Sequence, residues 1–387
     1  MTTLVVMSGS VGLGLPHRAL GILAVPPLVA VVVAGAGAHR RLLVISSSAL
    51  ALLGAESAFG IVVSLSGQAG WASALHLVFA ALTLAAVWLT AAASFQGEHV
   101  PAGAWRDYVT LTKPRIMVLL LITAAAGMFV GAQGVPDLWQ LAAVLVGGAL
   151  ACAGASALNH YLDRDIDGLM GERTASRPIV AGRLTPPRAL EFGLVLSAFS
   201  FVLLASLTNV LAAVLALVGN LFYVLVYTSW LKRSTVQNIV IGGAAGAVPP
   251  LVGWAAATGN LTLPALFLFL IIFLWTPPHF WALAMLIKRE YAAARIPMLP
   301  VVSGDAATSR RILGYSFLLT AATVLPFLWH VEGVAYLAAA LTLDATFVLL
   351  ALGLARRPSA ARAVRVFHFS LLYLAVLFAA MAVDVAV

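Results

Sequence analysis

The sequence predicts an all-α polytopic membrane protein of twelve transmembrane helices, and three observations carry that prediction. Hydrophobic residues make up 62% of the chain and charged residues 9%, with a mean hydropathy of +1.04. No soluble globular domain has that balance. Twelve apolar runs each reach the ~20 residues a helix needs to cross a bilayer. Of the 22 Lys and Arg, every one but Arg18 falls on alternate connections between these runs, which is the segregation of the positive-inside rule. The net charge of +8 is therefore a topological signal, and no nucleic-acid partner is expected.

In chain order the runs fall near 19–37, 42–66, 71–95, 116–133, 138–161, 186–206, 208–228, 236–257, 262–287, 312–329, 333–355 and 364–385. Arg40-Arg41, the stretch 106–115, the loop 162–185, Lys232-Arg233, the loop 288–311 and the stretch 356–365 hold the basic residues. These connections read as cytoplasmic, both termini face outward, and the protein is placed in the cell membrane with its active-site loops inside. The lone Cys152 lies in an apolar run, which leaves no disulfide within the chain and no thiolate metal site. The first fifteen residues carry no Lys or Arg, so a cleaved signal peptide is not expected.

The fifth span ends in Asn159-His160-Tyr161-Leu162-Asp163-Arg164-Asp165-Ile166-Asp167. A helix turns ~100° per residue, so steps of four advance only ~40° and put Asn159, Asp163 and Asp167 along one face, over roughly 12 Å. Asp165 points nearly the opposite way. Two carboxylates and an amide are hard oxygen ligands suited to Mg²⁺, which uses a few carboxylates together with substrate phosphates. Carboxylates this close to a membrane are costly and usually functional.

Two long inside loops, 162–185 and 288–311, are expected to carry the non-helical polar chemistry. The first holds Arg173, Arg177-Pro178 and Gly182-Arg183; the second holds Lys288-Arg289-Glu290-Tyr291 and Arg295-Ile296-Pro297. Lys113-Pro114-Arg115 and Lys232-Arg233 share their membrane face. Carboxylates with Mg²⁺, ringed by Arg and Lys, suit a polyphosphate. Within the membrane, Gly242-Gly243-Ala244-Ala245-Gly246 allows close helix packing. The pairs Pro249-Pro250 and Pro277-Pro278 are expected to break the backbone ladder where a cavity is lined. His279, between Trp275 and Trp281, could contact a planar substrate, shuttle a proton, or serve as a satisfied structural residue.

From about Trp105 onward these motifs resemble the protoheme IX farnesyltransferase (heme O synthase) family of UbiA-type intramembrane prenyltransferases. The likeness runs through Leu111-Thr112-Lys113-Pro114-Arg115-Ile116, Asn159/Asp163/Asp167, Arg177-Pro178, Gly182-Arg183 and Leu231-Lys232-Arg233. It continues through Gly253-Trp254, Trp275-Thr276-Pro277-Pro278-His279-Phe280-Trp281 and Pro297-Met298-Leu299-Pro300. Nine of the twelve spans lie in this part, as in the family, which implies a nine-helix bundle over 100–387. It also implies transfer of a farnesyl group from farnesyl diphosphate to a vinyl of heme b, giving heme O and diphosphate with Mg²⁺. The metal would be held by Asn159, Asp163, Asp167 and Glu290. The diphosphate would be met by Lys113, Arg115, Arg177, Lys232 and Arg233, and heme b by His279, Trp275 and Trp281. Glu290 stands where the family usually has Asp, and Ala294 leaves no second carboxylate in that loop.

Residues 1–99 form a separate three-span extension. Pro16-His17-Arg18, Phe59-Gly60-Ile61-Val62 and Ala74-Leu75-His76-Leu77 resemble the last part of the heme A synthase family. That likeness implies a heme bound between His17 and His76, and heme A synthase as a partner beside the lipid bilayer. Two other functions share some of these features. A prenyltransferase for quinones or other aromatics shares the carboxylate motif, and assay against aromatic acceptors separates it. A transporter also breaks its helices, but its polar site belongs near the bilayer midplane.

Overall fold

The computed structural model describes residues 105–387. The expected spans near 19–37, 42–66 and 71–95, and the candidate heme ligands His17 and His76, lie outside the described residues.

Among the described residues, nine helices are long and apolar enough to cross a membrane. A short α1 (Trp105–Thr112) leads into α2 (Pro114–Ala132) and α3 (Leu138–Leu162). The single turns α4 (Arg164–Asp167) and α5 (Glu172–Ala175) precede α6 (Pro186–Leu207). The next span begins as α7 (Val210–Leu221), continues as a π-helical segment (Phe222–Leu231) and ends in α8 (Lys232–Ser234). Then come α9 (Asn238–Gly246), α10 (Val248–Thr258), α11 (Leu263–Leu286), α12 (Lys288–Ala293), α13 (Leu299–Leu328), α14 (Val334–Arg356) and α15 (Ala360–Asp384).

The spans start and stop where the sequence supplies caps. Asp137 accepts the Gln140 N–H at 2.8 Å to open α3, and Asn209 accepts the Ala212 N–H at 2.9 Å to open α7. Proline stands in the first turn of α2, α6, α10, α11 and α13, where a helix start has no use for the missing N–H. The helices pack as a closed ring, α3 on α6, α9 on α11, α11 on α13, α13 on α14 and α14 on α15, with α15 returning onto α2. Lipid tails are as apolar as leucine, so close backbone approach rather than the hydrophobic effect holds such helices together. The tightest approach joins α2 and α10. A methyl at Gly253 would stand 1.9 Å from the Ala124 carbonyl oxygen, and one at Gly127 2.3 Å from that of Pro250.

Two expectations are corrected. The proline pairs do not both break their spans: Pro249-Pro250 open α10 just after the break at Ala247, whereas Pro277-Pro278 lie buried inside an uninterrupted α11. The neighbouring α13 and α15 pack on α11, and such neighbours let a membrane helix tolerate the bonds that proline removes. The loop 288–311 is also largely helical, because α13 starts at Leu299 and bends at Gly304 (φ 75°). Lys288 Nζ to Asp305 Oδ2 (2.8 Å) ties α12 to that bend.

At the far end of the bundle from Lys113 and Lys232, the Asp384 carboxylate accepts the backbone N–H groups of Gly333 and Tyr336 at the start of α14. Glu332 is buried beside it, and burial together with the Asp384 charge pushes its carboxyl from 4.5 up to about 9. The folded state holds this proton more tightly than the unfolded chain. Its contribution to stability is therefore full below pH 4.5 and lost as pH rises through about 9. Glu332→Gln is expected to raise the melting temperature in mildly alkaline buffer and flatten its decline with pH. A variant whose melting follows the wild-type pH curve would contradict this.

Candidate active site

The polar end of α3 builds the site. Asn159 Nδ2 donates to Asp163 Oδ2 (2.7 Å) and to Thr228 Oγ1 (3.2 Å), and its Oδ1 accepts from Lys113 Nζ (2.8 Å). Asp163 closes α3, and its Oδ2 also accepts from Lys232 Nζ at 2.6 Å. The turn α4 continues the backbone ladder, Asp167 N–H to Asp163 C=O at 2.9 Å. This leaves Asp167 1% exposed, with Arg177 Nη1 2.5 and 2.6 Å from its two oxygens. Asp165 leaves on the opposite side, its side chain 58% exposed, and takes Arg233 in a two-pronged pair at 2.6 and 2.7 Å.

Lys113, Asn159, Asp163, Asp167, Arg177 and Lys232, from four separate stretches of chain, thus form one network. Arg233 stands at its edge, Nη2 3.7 Å from Asp163 Oδ1. Glu290 is half-buried and reaches the first loop, where a methyl at Gly171 would lie 3.7 Å from its Cγ. Arg115 is exposed on the first turn of α2. His279, Trp275 and Trp281 belong to a different cluster. The His279 ring stacks between Trp275 (4.4 Å) and Phe367 (4.9 Å) with Nδ1 2.7 Å from Ser370 Oγ, and Trp275 Nε1 donates to the Ser370 carbonyl. Trp281 meets Tyr315 edge-on.

Three cations face two carboxylates in this buried network, so it carries surplus positive charge and suits an anion. Lys113 shows the strain of that surplus: burial, then the Arg177 charge, bring its ammonium down to about 7 against the opposing pull of Asp163. Its backbone is left-handed (φ 50°) immediately before Pro114, an uncommon conformation that aims the side chain at Asn159. Burial raises Asp167, opposed by its bond to Arg177, while the Arg233 hydrogen bond lowers Asp165.

Four residues around Asp163 escaped the sequence reading. Thr228 bonds Asn159, and Tyr223, Tyr227 and Tyr291 all feel the Asp163 charge. Tyr223 and Tyr227 stack at 5.5 Å on the π-helical segment. Tyr227 lies over Gly242, where a methyl would come within 2.3 Å of its ring. Tyr291 is pushed up to about 12, chiefly by burial, so it stays a neutral donor.

The sequence profile of the UbiA prenyltransferase family matches residues 120–377. A protoheme IX farnesyltransferase of Symbiobacterium thermophilum is 53% identical over 282 residues, covering 72% of this chain and 94% of its own length. A second, of Thermus thermophilus, is 47% identical over 351 residues; the match takes in 87% of this chain, more than residues 105–387 can supply, but only 58% of that relative. Among solved structures, a UbiA homolog from Archaeoglobus fulgidus bound to DMAPP and Mg²⁺ aligns over 72% of this chain and 99% of its own. Its TM-score is 0.55 at 17% identity. A digeranylgeranylglyceryl phosphate synthase aligns over 72% of this chain and 98% of its own with a TM-score of 0.61 at 20% identity. These structural likenesses establish the nine-helix bundle.

Proposed function

The chain belongs to the UbiA prenyltransferase family, and we propose that it transfers a farnesyl group from farnesyl diphosphate to a vinyl of heme b, giving heme O and diphosphate. The observation that carries this reading is the buried Asp163–Asp167 pair ringed by Lys113, Arg177 and Lys232. The choice of acceptor rests on relatives at 47–53% identity. The positive-inside pattern supports a site on the cytoplasmic face. Residues 1–99 are read as an added extension, and the reach of the Thermus alignment beyond the bundle supports a relative that carries a counterpart.

The donor set fits Mg²⁺. Asp163 Oδ1 is buried and makes no hydrogen bond, with Arg233 Nη2 3.7 Å away, so an anionic oxygen remains for a closer cation. Asn159, Asp163, Asp167 and Glu290 would hold the metal, which supplies charge to stabilise the departing diphosphate. No three His, Cys, Asp or Glu among the described residues cluster as a closed metal cage, so substrate phosphate oxygens would share in holding the metal. The chain's own part is to orient and neutralise. Lys113, Lys232 and Arg177 take the diphosphate charge, with Arg233 at the rim, and apolar helices keep bulk water from the allylic cation until the vinyl carbon attacks.

Purified protein given heme b, farnesyl diphosphate and Mg²⁺ is expected to yield heme O by mass. Turnover of an aromatic acceptor but not heme b would overturn the reading. In the same assay Glu290→Asp is expected to keep most activity and Glu290→Ala to lose about tenfold or more, as one charged contact to the metal and diphosphate would give. An alanine variant with unchanged turnover and Mg²⁺ dependence would remove Glu290 from the site.

A further inference from the structure

Farnesyl transfer to heme b, as proposed above, cannot end without water, because the product carries a hydroxyl that neither substrate supplies. We propose that Ser156 and His160 of α3 hold that water beside the diphosphate. The inference rests on the prenyl-transfer reading and extends it to a residue pair outside the Asn/Asp motif.

Both side chains lie in the helix direction of Asp163. At ~100° per residue His160 is about 40° from Ser156 around α3 and Asp163 about 20° on its other side, with Ser156 about 10 Å deeper in the membrane. Ser156 is 7% and His160 2% exposed. Ser156 Oγ, His160 Nδ1 and His160 Nε2 are all buried and have no hydrogen-bonding partner in the protein. A serine inside a helix commonly bonds the carbonyl four residues back; Ser156 leaves its hydroxyl free. Three orphaned polar atoms inside a membrane bundle are costly. A Ser–His pair one turn apart suits a bridging water, which needs two or more polar partners. His160 also feels the charges of Lys113, Arg177 and Lys232, which puts it on the side of the cationic cluster, with Ser156 one turn deeper.

The chemistry uses such a water once. The farnesyl C1–O bond breaks and its electron pair leaves with the diphosphate. C1 then bonds the terminal vinyl carbon, and positive charge moves to the vinyl carbon beside the porphyrin ring. The held water's oxygen bonds that carbon, and its proton passes to the diphosphate. Without a held water the same cation sheds a proton from the neighbouring CH₂, again to the diphosphate, and leaves an alkene. Ser156 and His160 are thus positioning residues that decide between hydration and elimination.

The test is the pigment mass spectrum from the full chain with heme b, farnesyl diphosphate and Mg²⁺. Wild type gives the prenylated, hydrated pigment; if it gives no prenylated pigment, the underlying reading fails. Ser156→Ala and His160→Leu are each expected to lower the ratio of hydrated to water-less product about tenfold, the effect of one ordinary hydrogen bond. Total prenyl transfer should change less, and His160→Gln, which keeps a donor and an acceptor, should restore part of the ratio. Ser156→Ala removes only a hydroxyl and guards against a His160 variant that does not fold. A wild-type ratio in both variants, or parallel loss of both products in folded protein, would overturn the proposal.

Discussion

Asp163→Ala is expected to slow prenyl transfer by at least about a thousandfold, the size of effect seen when a charge-organising group is lost from a buried site. Asp163 does three things at once. Its Oδ2 takes the Asn159 amide and the Lys232 ammonium at 2.7 and 2.6 Å, and its Oδ1, which makes no hydrogen bond, would serve Mg²⁺. Removing it leaves a buried ammonium and an amide without their partner, so the cationic ring loosens along with the metal contact. Asp167→Ala is expected to act similarly by freeing Arg177. Asp165→Ala should cost less than about threefold, since an exposed ion pair is worth at most ~1 kcal/mol. The measurement is heme O formed per minute by each variant at saturating Mg²⁺. Equal loss at all three positions would sink the assignment of the buried face.

Gly253→Ala is expected to destabilise the bundle by about 3 kcal/mol or more, at the upper end for overpacking. The added methyl would meet a backbone carbonyl oxygen at 1.9 Å and the Met128 nitrogen at 3.0 Å. Backbone cannot swing aside as a flexible side chain can, so α2 and α10 must separate. Since Lys113 heads α2, that separation should also draw it from Asn159, and activity should fall with stability. Gly314→Ala on α13 is the control: its methyl would meet nothing within 4 Å, and melting should change little. Thermal unfolding in detergent separates the two. A Gly253→Ala protein that melts with wild type would mean the helices have room to yield.

Hydropathy and charge were sufficient to place seven of the nine spans over residues 114–384 to within about a helical turn. The expected 208–228 runs on to Ser234, and the expected 312–329 already starts at Leu299. The apolar core is legible because crossing a bilayer constrains every window of ~20 residues independently of its neighbours. The buried and exposed aspartates could likewise be told apart by helical angle, since α4 prolongs the α3 ladder past Asp163. The partners could not. Lys113, Arg177 and Lys232 are 46, 10 and 69 residues from the groups they bond; motif resemblance marks them as diphosphate contacts, but nothing in the sequence pairs each with its Asn or Asp. Thr228 was invisible for a sharper reason. The segment Phe222–Leu231 is π-helical, with bonds from i to i+5, so a wheel drawn at 100° puts its side chains on the wrong side. His279 and Trp275 stand out in the sequence as a histidine among aromatics, and only the packing shows that Ser370 and Phe367 of α15 complete that cluster. The Gly242–Gly246 run does pack closely, Gly242 under Tyr227 and Gly243 against Thr276, but the tightest backbone contact, Gly253 against Ala124, lies outside that pattern. Spacing along one helix shows which residues share a face, and only the packing of the ring determines what that face meets.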